Sequence, residues 1–193
     1  HHKNTSYWAS YDDGNGLVIS GDGAIISGNV ISGNGNNVTL SSVDGSYYNG
    51  NSGILISGNN VIVSENIVTN NGDNVGINAI WGDCNGKGST GISVTGENAN
   101  VYGNTVTGNG NTVNISTEYG GSYNGNCGIS VFGNSANVSG NVVTDNGDNT
   151  TTRSDLGNLS LWGSFSVNGS TGILVSGDNS TVSGNTVNNN GDN

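Results

Sequence analysis

The sequence predicts an all-β chain wound into a right-handed parallel β-helix, a solenoid of about five coils of roughly 37 residues forming one domain over residues 1–193. Three observations predict it. A 22-residue segment recurs five times without an internal gap, beginning at Gly16, Gly53, Gly91, Gly128 and Gly172. Apolar residues inside each copy keep the two-residue spacing of strands. Proline is absent from a chain with 35 glycines, as suits a backbone whose N–H groups are needed for pairing.

The first strand of each copy carries apolar residues at its second and fourth places, Leu17/Ile19, Ile54/Ile56, Ile92/Val94, Ile129/Val131 and Ile173/Val175. The second is marked by the eleventh place, Ile26, Val63, Val101, Val138 and Val182, and the third by the sixteenth, Ile31, Val68, Val106, Val143 and Val187. Short strands repeated in register, with coils about 4.8 Å apart, stack these side chains into aliphatic columns. The ladders Ile19, Ile56, Val94, Val131, Val175 and Ile26, Val63, Val101, Val138, Val182 are the expected core.

Corners separate the strands. The fourteenth place is always Asn (Asn29, Asn66, Asn104, Asn141, Asn185), and so is the nineteenth (Asn34, Asn71, Asn109, Asn146, Asn190). Stacked amides donate and accept along a column, so two Asn ladders are expected here as architecture. Asn also tolerates left-handed backbone, and the glycines after the nineteenth place, Gly35 to Gly191, adopt it without strain.

Between copies lies a variable arm, 38–52, 75–90, 113–127 and a longer 150–171, read as a fourth strand with a projecting loop. Successive repeat glycines are 37, 38, 37 and 44 residues apart, whereas only 22 residues run from Gly172 to Asn193. The first 15 residues look like an arm without its repeat and would complete that coil to 37. Ser6-Tyr7 and Ser10-Tyr11 match Ser46-Tyr47 and Ser122-Tyr123, and Trp8 falls near the place of Trp81. The expectation is therefore that residues 1–15 complete the coil of a neighbouring subunit, with His1, Trp8, Gly172 and Asn193 at the junction. The competing reading is that a repeat array must begin somewhere. A heterologous contact of this kind gives a filament, or a ring if the stack curves.

Composition narrows the partners. A formal charge of −11 with only Lys3, Lys87 and Arg153 as permanent cations excludes a nucleic-acid or anionic-membrane surface. No apolar run is long enough for a membrane-spanning helix. With no methionine, His1 is not a translational start; His1 and His2 read as a processed terminus or added residues, and copper binding through them needs His1 to be native. Eight Asn-x-Ser/Thr sequons permit glycosylation, and Cys84 and Cys127 fit an oxidising compartment, so the cell surface or exterior is expected. The two cysteines are out of register, which leaves a bridge within the subunit and one between subunits both open.

Chemistry is sparse. Glycoside hydrolysis needs two carboxyl groups in a cleft, and lyases of this shape need carboxylates, calcium and a basic residue. Here the acids are scattered, Asp12-Asp13 being the adjacent pair apart from any expected cleft. Asp73, Asp148 and Asp192 share one place with Asn36 and Asn111 and read as solvated surface acids, so no cofactor is expected beyond weak surface calcium. Ice binding would use the seventeenth place, Ser32, Thr69, Thr107, Thr144 and Asn188, as an imperfect column. Carbohydrate adhesion would use Tyr47, Tyr48, Tyr119, Tyr123, Trp81 and Trp162, although arm aromatics more often cover a core edge or pack on a neighbour.

The repeat G-I-x-V-x-G-x-x-x-x-V-x-G-N-x-V-x-x-N-G, over about 110 of 193 residues, resembles the parallel β-helix repeats of pectate-lyase-like proteins, periplasmic copper-maturation proteins and surface proteins of methanogenic archaea. Nothing matches the lyases' basic residues or acidic cluster, and scarce His and Met disfavour a copper role. Uncapped ends and low charge make the chain look most like an archaeal cell-sheath subunit. That resemblance implies a non-enzymatic structural protein whose partner is itself, end to end, with lateral self-contacts through the arms.

Overall fold

The computed structural model describes residues 2–12, 14–79, 83–117, 121–147, 150–154 and 165–191. They contain strands and turns, and among them no helix is long and apolar enough to cross a membrane. Every strand pair is parallel, which a solenoid produces because each coil returns the chain to the same edge in the same direction.

Three sheets hold five strands each, one from every repeat copy. The first stacks Leu17–Ser20, Ser52–Ser57, Thr90–Thr95, Cys127–Phe132 and Thr171–Ser176; the second runs from Ile25–Ser27 to Thr181–Ser183, and the third from Val30–Ser32 to Thr186–Asn188. Register is strict, with Ile19 on Ile56, Ile56 on Val94, Val94 on Val131 and Val131 on Val175. The second sheet stacks Ile26, Val63, Val101, Val138 and Val182 in the same way. Rungs from the second to the fourth copy are fully buried, while Val182, in the last rung, is 53% exposed because no described strand covers it. A further core column, Ala24, Val61, Ala99 and Ala136, lies at the ninth place of the copies.

The arms form an eight-stranded sheet. His2–Tyr11 and Val38–Asn49 are continuous, whereas later arms divide into Val75–Ala79 and Cys84–Lys87, Val113–Thr117 and Gly121–Asn124, Thr150–Ser154 and Phe165–Asn168. The arm is the expected fourth strand, and it carries a core of its own. Val38, Leu40, Val75, Ile77, Val113, Ile115, Tyr48 and Tyr123 are buried in a second hydrophobic cluster separate from that of the repeats. Tyr48 stacks on Tyr11 with ring centroids 5.8 Å apart. Strand alternation sorts the two tyrosines: Tyr48 turns inward while Tyr47, one residue earlier, stays 44% exposed.

The N-terminal segment pairs within its own chain. Residues His2–Tyr11 lie in parallel against Val38–Asn49, leaving one edge of the segment for a neighbour. The Ser-Tyr match is one residue out of register, since Ser10 faces Tyr47 and Tyr11 faces Tyr48. Trp8, 58% exposed, faces Gly45, where a Cβ would meet its ring at 2.6 Å.

Left-handed backbone also falls elsewhere than expected. Positive φ sits one residue before each ladder Asn, at Gly28, Glu65, Gly103, Gly140 and Gly184 and at Gly33, Asn70, Gly108, Asp145 and Asn189. The ladder residues themselves keep negative φ, which aims their side chains along the column. The glycines after the nineteenth place do take positive φ, from 68° to 79°.

Candidate assembly interface

The groups that tie one coil to the next are the groups any further coil must meet. At the fourteenth place the main-chain N–H and Nδ2 of Asn29 both donate to Asn66 Oδ1 at 3.0 Å. Asn66 donates likewise to Asn104, Asn104 to Asn141, and Asn141 to Asn185. From Asn66 onward each Nδ2 also reaches back to the preceding coil, Asn104 to Val63 O at 2.9 Å and Asn141 to Val101 O at 3.0 Å among them. The nineteenth place repeats the pattern from Asn34 through Asn71, Asn109 and Asn146 to Asn190. Asn66, Asn71, Asn104, Asn109, Asn141 and Asn146 are buried, so these bonds satisfy groups that water cannot reach.

Two further ladders run with the opposite polarity. At the seventh place the N–H of Asn59 donates back to Asp22 Oδ1 at 2.7 Å, that of Glu97 to Asn59 Oδ1 and that of Asp178 to Asn134 Oδ1. At the twenty-first, Asp73 N–H donates to Asn36 Oδ1 and Asn111 N–H to Asp73 Oδ1. The recurring Asp, Asn or Glu at both places was visible as a sequence signal. Read for calcium, it yields an acceptor column: the described residues contain no group of three or more His, Cys, Asp or Glu able to hold a metal ion. Burial raises the pKa of Asp73, and the Asn111 N–H partly offsets it.

A cut between any two coils therefore leaves complementary faces. Toward the C-terminal end, Asn185 and Asn190 present main-chain N–H groups, and Asp178 presents a carboxylate. Toward the N-terminal end, Asn29 and Asn34 present Oδ1, and Asp22 its N–H. Strand edges match as well, because every described coil bonds its successor through the same main-chain positions, Gly16 N–H to Ser52 O and Gly133 N–H to Ser176 O among them.

Of the residues expected at the junction, His1 and Asn193 lie outside the described residues, as do Trp81, Tyr119 and Trp162. Gly172 is buried inside the last coil, where a Cβ would meet Val187 Cγ1 at 2.4 Å. Outward apolar side chains gather around the first copy and not on the arms alone, with Val18, Ile25 and Val30 each more than 60% exposed. Their places hold Leu55, Ile62 and Ile67 in the second copy and Ser93, Asn100 and Thr105 in the third.

The two cysteines are unpaired and buried in the structure. Cys84 faces Gly121, and Cys127 lies beyond the extended residues Gly121–Asn124 and a corner. Three strand steps alone span about 10 Å, more than the roughly 7 Å between Cα atoms that a bridge allows. Both cysteines are buried, with Cys127 Sγ donating to Ile129 O at 3.1 Å. Burial pushes the Cys127 thiol up to about 12 and, despite a hydrogen bond with Ser89, the Tyr48 hydroxyl to about 12; it raises Tyr123 further. These groups bind protons more tightly when folded, so their stabilisation is intact below the unfolded values and is lost as pH rises above about 9 to 10. Cys127 should stay unreactive to a thiol reagent at pH 8 until denaturant unfolds the chain; rapid labelling of the native protein would contradict its burial.

Comparison with family models, with curated proteins and with solved structures gives no match to this chain.

Proposed function

We propose that this chain is a structural subunit of an extracellular polymer, a sheath, filament or surface layer, in which copies add end to end by continuing the solenoid. The observation that carries the reading is that each rung-to-rung ladder keeps its own polarity through the copies, so that opposite faces of a coil are complementary by translation alone. A mechanical role follows from the same bonds. Continuous strand pairing, aliphatic columns and amide ladders give a stiff rod with the hydrogen-bonding economy of cross-β stacks. The resemblance of the repeat to archaeal sheath subunits and the sequon-rich, cation-poor surface support an envelope setting outside the cell.

Electron microscopy at rising protein concentration tests this reading. Unbranched filaments, hoops or tubes are expected, shortened or lost when residues 1–15 are deleted and unaffected by reductant, since both thiols are buried. A dispersed monomer at every concentration would contradict it.

One observation favours the second reading, a carbohydrate-binding adhesin. A polar trough of about 170 Å³ crosses three coils at the corner between arm and first sheet, where Asp12, Asn49 and Lys87 face Ser52, Thr90 and Ser93. Glycan binding by a dispersed monomer would support that alternative.

A further inference from the structure

The seventh-place column alternates in charge. From the N-terminal end it reads Asp22, Asn59, Glu97, Asn134, Asp178, acid and amide in turn. The hydrogen bonds explain why each rung bears an acceptor: Asn59 N–H meets Asp22 Oδ1 at 2.7 Å, Glu97 N–H meets Asn59 Oδ1 at 2.8 Å, and Asp178 N–H meets Asn134 Oδ1 at 2.7 Å. An amide and a carboxylate both accept, so this bond alone does not require alternation; charge favours it at this place, although the twenty-first place carries Asp148 and Asp192 in successive copies. Alternation holds successive carboxylates two coils, or about 9.6 Å, apart, whereas neighbouring rungs are about 4.8 Å apart. Two unit charges at that smaller distance, even with the dielectric constant of water, shift an equilibrium by about fourfold.

The column has an acid at each end. When copies stack in the register of the chain's own coils, Asp22 of the next copy lands on Asp178. We infer that the end-to-end junction is an acid-on-acid contact that binds protons more tightly than the separated copies do, so that pH controls assembly. The inference rests on the end-to-end reading. The incoming Asp22 N–H donates to the Asp178 carboxylate, as Asn59 does to Asp22, while the incoming carboxylate stands one rung away. Nothing nearby neutralises the pair: the flanking strands Leu17–Ser20, Ile25–Ser27, Thr171–Ser176 and Thr181–Ser183 carry no titratable side chain. The next carboxylate in the column, Glu97, is two rungs from either partner. The joined state binds more protons than the separated copies, so assembly is favoured at acid pH and weakens as pH rises through the carboxylate range.

The test is the critical concentration for polymer formation, measured by sedimentation between pH 4 and pH 7.5 at low salt with a chelator present. The unmodified chain is compared with Asp178→Asn and Glu97→Gln. Asn already occupies this place in the second and fourth copies, and Glu97 is an exposed acid of the same column away from the junction. At pH 7, Asp178→Asn should assemble at about a fourfold lower concentration than the unmodified chain, with the two converging at pH 4 and Glu97→Gln following the unmodified chain. Polymer whose pH profile is unchanged by Asp178→Asn overturns the acid junction and leaves the end-to-end reading standing. An equal effect of Glu97→Gln traces the dependence to net charge and overturns it too. Absence of polymer at every pH overturns both.

Discussion

Asn104→Ala is expected to cost the fold about 4 kcal/mol, far more than the same change at the first rung. The Asn104 side chain donates to Val63 O, Tyr102 O and Asn141 Oδ1, and its Oδ1 accepts both the N–H and Nδ2 of Asn66, all in a buried corner. Alanine removes these bonds and strands the Asn66 donors and the Val63 carbonyl. Each buried polar group left unmet costs about 1–3 kcal/mol. Asn29 is exposed, and its Oδ1 has no Asn rung beneath it, so Asn29→Ala should cost about 1 kcal/mol or less. Urea unfolding of the two variants measures the contrast. Equal losses would mean that the ladder is decoration on a fold held by its aliphatic columns.

The second large effect is expected at a glycine whose neighbour is backbone. Gly96 has φ +150°, and a Cβ there would stand 1.9 Å from Gly58 O and 2.5 Å from Gly58 C. The same approach recurs at Gly58, Gly133 and Gly177, each against the glycine of the coil before, so no side chain can turn aside to make room. Gly96→Ala must either separate two coils or break the corner, and a loss above about 4 kcal/mol is expected, in the range reserved for severe packing faults. Gly103→Ala is the control. Its φ is +64°, a Cβ there meets nothing closer than 3.8 Å, and Glu65 already occupies the equivalent place with φ 56°. It should cost only the left-handed backbone term of about 1–2 kcal/mol. Circular dichroism melts of both variants decide the matter; similar melting temperatures would refute the close coil approach.

The columns at the second, fourth, eleventh and sixteenth places were legible in the sequence because ungapped repetition fixes register, and register fixes which side chains stack. The arm was less so. Its lengths differ from copy to copy, so nothing in the sequence says that Tyr48 and Tyr123 point inward while Tyr47 points out, or that Ser10 faces Tyr47. The seventh and twenty-first places displayed their acids and amides openly, yet their opposite bond polarity depends on which way each corner turns. For the cysteines, sequence spacing suggested only that they do not stack; the strand and corner between them decide that they do not meet.

The most direct test of the central claim is the axial repeat of the assembled polymer, from fibre diffraction or helical image reconstruction. Copies that continue the solenoid should give a meridional spacing near 4.8 Å and a subunit rise of about 24 Å, the height of five strand steps. A rise unrelated to that height, or strands lying out of line with the filament axis normal, would show that the copies meet by some face other than their ends.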